Sequence, residues 1–317
     1  MRSLSNPIVF CIALSVVAAG CVTSNPISEG TTYKLYYLGG QSNMEGFGFT
    51  DQLPESALQP SPKVMIFVGQ MAYDNETHGG VGIWQPLQPG FGTGFKTDGV
   101  TNRLSDRFGP ELFFGHTMGQ RSGDTNVAII KYALGGSGLA EGVGYSNWHP
   151  DFSTGAGHNQ YDNALKTLRT ALARGDIDGD GIADRLVPSG IVWMQGEADA
   201  YDSQAAADDY RANLERLMGL LRAALRVDDL PLVIGKITDS GMSEDGSVMD
   251  YIETVQKAQR DFVMSDSCAE YVTATDDLPY LDDGWHYDTE GVIRLGTAFA
   301  EAMIQLEHRC GHNELQH

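Results

Sequence analysis

The feature that most restricts the fold of this chain is the alternation of short apolar runs with segments of helical periodicity. The apolar runs cover residues 33–38, 63–68, 126–132, 191–194, 232–237 and 271–274. The helical patterns cover residues 110–121, 159–174, 203–226, 248–262 and 288–307. Strands that alternate with helices predict a parallel sheet covered by helices on both faces. With no repeat and no second boundary visible, residues 33–310 are predicted to form a single α/β domain.

Polar residues follow four of the predicted strands at the point where each strand ends. Ser42 follows the first strand, and the run Gly135-Gly136-Ser137 follows the strand that ends near residue 134. Gln195-Gly196-Glu197 follows residue 194, and the segment from Asp283 to His286 follows the last strand. Because the carboxyl ends of parallel strands meet at one edge of a sheet, all four clusters are expected to converge on one crevice.

The clusters carry complementary chemical groups. Taken alone, Ser42 could simply close a turn or cap a helix. A serine becomes a nucleophile when a neutral histidine removes its proton, and a carboxylate keeps that histidine in the required tautomer. His286 and Asp283, three residues apart, can supply these two groups. Backbone N–H groups at Ser42 and at the Gly135-Gly136 turn, with the amide of Gln195, are candidate donors to a tetrahedral oxyanion.

Three ordered motifs resemble those of the SGNH (GDSL-like) hydrolases: residues 40–44 (Gly-Gln-Ser-Asn-Met), 193–199 (Trp-Met-Gln-Gly-Glu-Ala-Asp) and 283–286 (Asp-Gly-Trp-His). Within these enzymes the chain is most similar to the branch of sialate O-acetylesterases and family six acetylxylan esterases. The resemblance implies a flavodoxin-like three-layer α/β/α sandwich. It also implies hydrolysis of acetyl esters on carbohydrate through an acyl-enzyme on Ser42, with His286 as base and no cofactor for catalysis.

The third catalytic residue and the exact activity remain open at this point. Asp283 fits the general Asp-x-x-His pattern, whereas some members of the resembling branch use the glutamate of the Gln-Gly-Glu motif, which here is Glu197. The activity expected is removal of O-acetyl groups from an acetylated polysaccharide or oligosaccharide. The alternatives are hydrolysis of other short acyl esters on the same fold, or glycan binding without turnover.

The first 21 residues are typical of an export signal. Arg2 precedes a short apolar segment, residues 8–19, which is too short to span a bilayer as a mature helix. Small residues stand directly before Cys21, as in bacterial lipoprotein cleavage sites, so the sequence predicts either a lipid on Cys21 or plain secretion. Residues 22–32 are a polar linker. The protein is expected outside the cytoplasm, as an outer-membrane lipoprotein or a periplasmic or secreted protein, with the membrane contacted only through that lipid.

The formal charge of the chain is −21, and no basic patch interrupts the acidity. Nucleic acid would be repelled by this charge, so it is excluded as a partner. Neutral substrates such as sugars and esters fit better.

An acidic loop stands apart from the four clusters. Asp176, Asp178, Asp180 and Asp184 occupy positions one, three, five and nine of a loop with glycine at position six, as in calcium loops of EF-hand type. Position twelve is Val187 instead of glutamate, so the bidentate ligand is missing. A structural calcium ion and a solvated acidic turn are the two interpretations.

Two cysteines remain after the signal segment, Cys268 and Cys310. In an oxidising compartment they can form a disulfide, and otherwise they are two separate buried thiols.

Overall fold

A seven-stranded sheet forms the centre of the protein. The computed structural model describes residues 29–74, 76–121, 126–152 and 158–311, so the predicted signal segment, Cys21 and most of the linker lie outside the described residues. The strands of the sheet are β1 (Thr32–Gly40), β2 (Val64–Val68), β3 (Gln85–Pro86), β4 (Asn126–Ala133), β5 (Arg185–Met194), β6 (Leu232–Gly235) and β7 (Ala269–Val272).

The strand order confirms the predicted fold class. Across the sheet the order is β7-β6-β5-β1-β4-β2-β3, and every neighbouring pair is parallel except β2 with β3. Without β2 and β3, the remaining order β4-β1-β5-β6-β7 is that of flavodoxin-like sheets, and the direction of winding changes between β1 and β5. The strands β2 and β3 extend this arrangement beyond β4. The crevice at the switch point therefore lies where β1 and β5 end.

Helices cover both faces of the sheet and make the three layers that were predicted. The helices are α1 (Ser42–Glu45), α2 (Glu111–Arg121), α3 (Gln160–Leu172), α4 (Glu197–Ala200), α5 (Gln204–Leu225), α6 (Ile252–Ser265) and α7 (Thr289–Cys310). One face carries α2 and α7, which pack on each other, and the other carries α3, α5 and α6. Within the described residues, no helix is both long and apolar enough to cross a lipid bilayer.

The central strands are apolar on both sides because both faces are covered. All five residues of β2 are buried, and so are eight of the nine residues of β1. This is the pattern expected of a parallel sheet between two helical layers.

Three predicted boundaries were wrong. The strand predicted to begin at Ile191 begins six residues earlier, at Arg185. Residues 185–190 pair only with β1, so Pro188 lies in an edge portion of the strand beside a register shift, where a missing N–H is tolerated. The helix predicted from Val248 begins at Ile252, because the N–H groups of Val248 and Met249 are bound by the carboxylate of Asp239.

The last strand is also displaced, since it ends at Val272 and residues 274–277 form a 3-10 turn. The passage 47–107 is mostly irregular, as predicted. It contains the short 3-10 segments Thr50–Gln52 and Glu55–Ala57 and the two-residue strands Gly48–Phe49, Arg107–Phe108, Lys96–Thr97 and Asn102–Arg103. A further two-residue pair joins Ser137–Gly138 to Ser146–Asn147.

A disulfide joins Cys268 to Cys310, whose Cα atoms are 5.8 Å apart. It ties the start of β7 to the last residue of α7. Of the two alternatives for these cysteines, a disulfide or two separate thiols, the structure shows the disulfide.

Candidate active site

The turn that carries Ser42 needs a glycine immediately after β1. Gly40 has φ 147°, and a Cβ at this position would lie 1.9 Å from the carbonyl oxygen of Met194 on β5. The close approach lets the N–H of Gln41 donate to that carbonyl at 2.9 Å. Ser42 then opens the short helix α1 and is 6% exposed. The predicted placement of Ser42 at the carboxyl end of the first strand is therefore confirmed.

Asp283 and His286 lie in the loop that precedes α7. The Nδ1 atom of His286 is 2.7 Å from Oδ2 of Asp283, and the N–H groups of Trp285 and His286 donate to Oδ1. Partial burial raises the pKa of the Asp283 carboxyl, but the hydrogen bonds from the His286 ring and from the two N–H groups outweigh it, and the net shift is downward. Phe47 stacks on the imidazole with ring centroids 3.6 Å apart. The imidazole of His286 is thus held by Phe47 on one face and by Asp283 at Nδ1.

Asn43 links the serine turn to the histidine loop. Its side-chain N–H₂ donates to the carbonyl of Trp285 at 3.2 Å, and its Oδ1 accepts the N–H of Tyr287 at 3.1 Å. These two residues flank His286 in the chain. The side chain next to Ser42 therefore grips the backbone on both sides of the histidine. Asn43 belongs to the motif at residues 40–44, but the sequence alone did not indicate this role.

Glu197 contacts Asn43 and is enclosed. Its Oε1 accepts from Nδ2 of Asn43 at 2.8 Å, and among the described residues Oε2 has no hydrogen-bond partner. Burial raises the pKa of the Glu197 carboxyl, against the opposing effect of the Asn43 hydrogen bond. Of the two carboxylates considered for the histidine, the one in contact with Nδ1 is Asp283.

The glycine turn after β4 comes close to Ser42. A Cβ at Gly135 would lie 3.3 Å from the Cβ of Ser42. The N–H of Gly135 donates to the carboxylate of Glu45, the last residue of α1, at 2.7 Å. The structure brings the predicted glycine pair to the serine, but one of its two N–H groups is already bound.

Gln195 is placed differently from expectation. It is fully buried, and its side-chain N–H₂ donates to Asp199 at 2.6 Å and to the carbonyl of Ser137 at 3.0 Å. The amide expected to face an oxyanion is therefore engaged inside the protein. The sequence could not reveal this, because the motif at residues 193–199 does not show which way the Gln195 amide turns.

A buried ion pair lies beneath α1. Nζ of Lys131 is 2.6 Å from the carboxylate of Glu111, and both side chains are nearly inaccessible to solvent. The same ammonium donates to the carbonyl oxygens of Glu45 at 2.8 Å and Phe91 at 2.9 Å. The end of the serine helix is thereby bonded to β4, and sequence reasoning missed this arrangement.

The acidic loop lies at the other end of the sheet from Ser42, beside the start of β1. Ligand atoms of Asp176, Asp178 and Asp184 lie within 4.8 Å of one another, and Asp180 is outside this group. Asp178 accepts the Tyr33 hydroxyl at 3.0 Å, and Asp176 accepts the N–H groups of two glycines within the loop. Burial, followed by the hydrogen bond to Asp178, raises the pKa of Tyr33. Three of the four predicted ligands are thus close enough to share one cation.

Comparisons with known proteins show which proteins this chain resembles. Residues 32–305 match the family described as carbohydrate esterase, sialic acid-specific acetylesterase. A probable carbohydrate esterase of Arabidopsis thaliana is 25% identical over 285 residues, which are 86% of this chain and 90% of the relative.

Two solved structures are similar in fold. The crystal structure of an Arabidopsis thaliana protein superposes with a TM-score of 0.58 at 21% identity and covers 86% of this chain and 98% of that one. A carbohydrate acetylesterase from Xanthomonas citri gives a TM-score of 0.60 at 14% identity, over 87% of this chain and 57% of that one.

Proposed function

Because the chain belongs to the carbohydrate esterase family of sialic acid-specific acetylesterases, we propose that it is a serine esterase that removes O-acetyl groups from carbohydrates. The observation that carries the mechanism is the grip of Asn43 on the backbone around His286, because it joins the turn of Ser42 to the Asp283–His286 pair. Ser42 directly precedes Asn43, and Asp283 contacts the ring of His286, so this link supports the assignment of the three groups that nucleophilic acyl transfer requires.

In the proposed reaction Oγ of Ser42 attacks the acetyl carbonyl carbon while Nε2 of His286 takes the hydroxyl proton. The tetrahedral intermediate collapses, and the sugar oxygen leaves with that proton. Water then attacks the acetyl-enzyme, again losing a proton to His286, and acetate leaves as Ser42 is regenerated. Asp283 orients the imidazole. Because the pKa of the Asp283 carboxyl is lowered, Asp283 stays ionised and stabilises the charged form of the imidazole.

For the oxyanion we propose the backbone N–H of Ser42 and that of Gly136. The N–H of Gly135 is bound by Glu45, and the amide of Gln195 is bound by Asp199 and Ser137. In this proposal Gln195 has a structural role: its buried amide holds the turn after β5 in place. Glu197 braces Asn43 and does not act on the histidine.

The test of this proposal is acetate release from acetylated xylan and from a small aryl acetate by the parent and by Ser42→Ala. We expect release from both substrates by the parent, and a loss of at least about a thousandfold in the variant with an unchanged melting temperature. Activity retained in Ser42→Ala would remove the mechanism. Release from the aryl acetate alone would favour other short acyl esters, and binding of glycan without release would favour a binding protein.

We further propose that the protein is exported and anchored by a lipid on Cys21. The Cys268–Cys310 disulfide supports export, since such bonds persist in oxidising compartments. Radiolabelled palmitate should be incorporated by the parent and not by a Cys21→Ser variant expressed in a bacterium. Labelling of both or of neither would argue against the anchor.

The acidic loop is proposed to bind calcium with a structural role. Carboxylate oxygens are the ligands that calcium prefers, and Asp176, Asp178 and Asp184 can share an ion. Asp178 accepts the hydroxyl of Tyr33 in β1, and Asp184 accepts the N–H of Thr31 just before it, so the ion would fasten the start of the sheet. Calcium should raise the melting temperature of the EDTA-treated parent and leave that of Asp176→Asn/Asp178→Asn unchanged. An equal shift in both proteins would place the ion elsewhere.

A further inference from the structure

A cavity of about 420 Å³ adjoins the proposed catalytic pair. Asp283 and Trp285 line it, so it begins within one residue of His286. On its other side lie Tyr201, which follows α4, and residues of the loop before α6. Through Asp283 the cavity borders the proposed catalytic pair, so we consider it for the group to which the acetyl is attached.

The walls of the cavity combine aromatic rings with carboxylates. The rings of Tyr201 and Trp285 meet edge to face, with centroids 5.3 Å apart, and 48% of Tyr201 is exposed. An exposed aromatic ring in a concave, otherwise polar site suits a ligand with both apolar and hydroxyl-bearing faces, such as a sugar.

The charge of the cavity has one sign. Its lining includes five aspartates, and none of the described residues that line it is Lys, Arg or His. These aspartates are Asp202, Asp245, Asp250, Asp282 and Asp283. These carboxylates are too far apart to share a metal ion. Among the described residues, the acidic group whose ligand atoms lie within 4.8 Å of one another is the one formed by Asp176, Asp178 and Asp184. The carboxylates thus form a dispersed negative wall.

Two cations near the serine turn and Phe47 are already engaged by other groups. Lys131 is buried and paired with Glu111. Arg107 donates to the carbonyl of Phe47 at 2.7 Å, and its guanidinium lies 3.5 Å above the ring of Phe49.

We infer that this cavity receives the sugar portion of the substrate and that its carboxylates select neutral glycans over glycans that carry a carboxylate. The inference rests on the proposed esterase function and concerns the substrate class of the same site. A cleft lined by one charge repels ligands of that charge, which lowers their association rate, and salt screens the effect. Neutral acetylated sugars are thus preferred over acetylated sialic acid, although the family description names the latter.

The test compares two substrates that differ only in charge: the methyl glycoside of 9-O-acetyl-N-acetylneuraminic acid, and the same compound with its carboxylate converted to a carboxamide. Acetate release is measured at low and at high salt, with acetylated xylo-oligosaccharide as a neutral reference. At low salt we expect kcat/KM for the carboxamide to exceed that for the carboxylate by at least about tenfold, and the ratio to shrink at high salt.

The variant Asp202→Asn/Asp250→Asn tests whether the preference for the uncharged substrate comes from the carboxylates of this cavity. Within the described part of the chain neither carboxylate accepts a hydrogen bond, and both residues are exposed, so the fold should tolerate the change. Its matched control is Glu215→Gln/Glu301→Gln, which removes two exposed charges from helices α5 and α7. The ratio should fall in the first variant and stay at the parent value in the second, and the control variant should also hydrolyse an aryl acetate at the parent rate.

Equal or faster turnover of the carboxylate at low salt would overturn the inference, as would a ratio that Asp202→Asn/Asp250→Asn leaves unchanged. Either result leaves the esterase function intact, because the neutral reference is still hydrolysed. If the parent releases no acetate from the aryl acetate, the esterase function itself fails and this inference falls with it.

Discussion

Among the residues that the structure describes, two lysine–glutamate pairs are buried, one at each end of the central sheet. At the amino end Nζ of Lys34, on β1, lies 2.8 Å from Glu307 near the end of α7. At the carboxyl end Lys131, on β4, lies 2.6 Å from Glu111 at the start of α2. Both pairs tie a strand to a helix on the same face of the sheet, but their remaining hydrogen bonds differ.

At the amino end the second partner of Glu307 is the hydroxyl of Tyr36, which belongs to the same strand as Lys34. At the carboxyl end the ammonium of Lys131 also binds the carbonyls of Glu45 and Phe91. Glu45 ends the helix that Ser42 begins, and its carboxylate holds the glycine turn. Buried charge thus serves only the fold at one end, whereas at the other it also fixes the geometry of the site.

The largest effect is expected from the two carboxylates nearest the histidine loop. Asp283→Asn should lower kcat by about 10² to 10⁴-fold, because an amide no longer holds the imidazole in the required tautomer. Glu197→Gln should lower it by less than about tenfold, since an amide can still accept from Asn43. Steady-state kinetics on an aryl acetate will measure both.

The melting temperature of Asp283→Asn should match that of the parent because Asp283 lies at the surface. A greater loss of kcat in Glu197→Gln than in Asp283→Asn would make Glu197 the residue that orients His286. The carboxyl end would then depend on a buried charge for the chemistry as well as for its shape.

The next prediction compares the two pairs directly. Lys131→Met and Lys34→Met each leave a buried glutamate without its cation, and each should lower the free energy of unfolding by about 3 to 5 kcal/mol. Lys131→Met should in addition lower kcat by about ten- to hundredfold, since the helix that begins with Ser42 loses its anchor. Lys34→Met should leave kcat within about twofold of the parent, because no part of its network reaches the site.

Urea unfolding and kinetics at a temperature where both variants are folded will separate stability from activity. Lys34→Met is the control for instability as such. Equal losses of kcat in the two variants would mean that activity follows global stability, and the distinction between the two ends of the sheet would be lost.

The fold and the convergence of the site could be predicted because both follow from the hydrophobic periodicity of the segments and from their order along the chain. Apolar runs between helical patterns specify a doubly wound sheet, and the switch point then brings together the residues after β1 and β5. Ser42, Gly135, Asp283 and His286 were placed correctly on this basis, since each directly follows a strand or sits in the loop leading from the last one.

What could not be predicted depends on the contacts of individual polar side chains, most of them with residues distant in the sequence. The Asn43 side chain binds the carbonyl of Trp285, more than 240 residues away, and the Lys131 side chain binds the carbonyl of Glu45, 86 residues away. The engagement of Gln195 by Asp199 depends on which way one amide turns. No hydrophobic periodicity in the sequence encodes such contacts, so the residues that position the proposed catalytic groups could not be identified from it.

The smallest expected effect concerns a buried carboxylate at the carboxyl end that has no cation. Asp199 accepts the N–H groups of Leu139 and Ala140 and the amide of Gln195, and among the described residues it forms no ion pair. Burial raises the pKa of its carboxyl from 3.8 to about 6. Between these values the folded protein binds a proton that the unfolded chain has released, so the free energy of unfolding falls as pH rises from about 4 to 6.

The expected loss from this group is about 3 kcal/mol, since one pKa unit corresponds to about 1.4 kcal/mol. Urea unfolding of the parent and of Asp199→Asn at several pH values should show it as a difference in slope. Asp199→Asn shifts its whole curve by losing hydrogen bonds, but it lacks the additional fall between pH 4 and 6. The charge of Asp199 contributes in small part to the raised pKa of Glu197, so that group also changes in the variant, in the same direction. Parallel curves would mean that the N–H donors alone keep Asp199 ionised, and that a buried charge at this end of the sheet needs neither a lysine nor a proton.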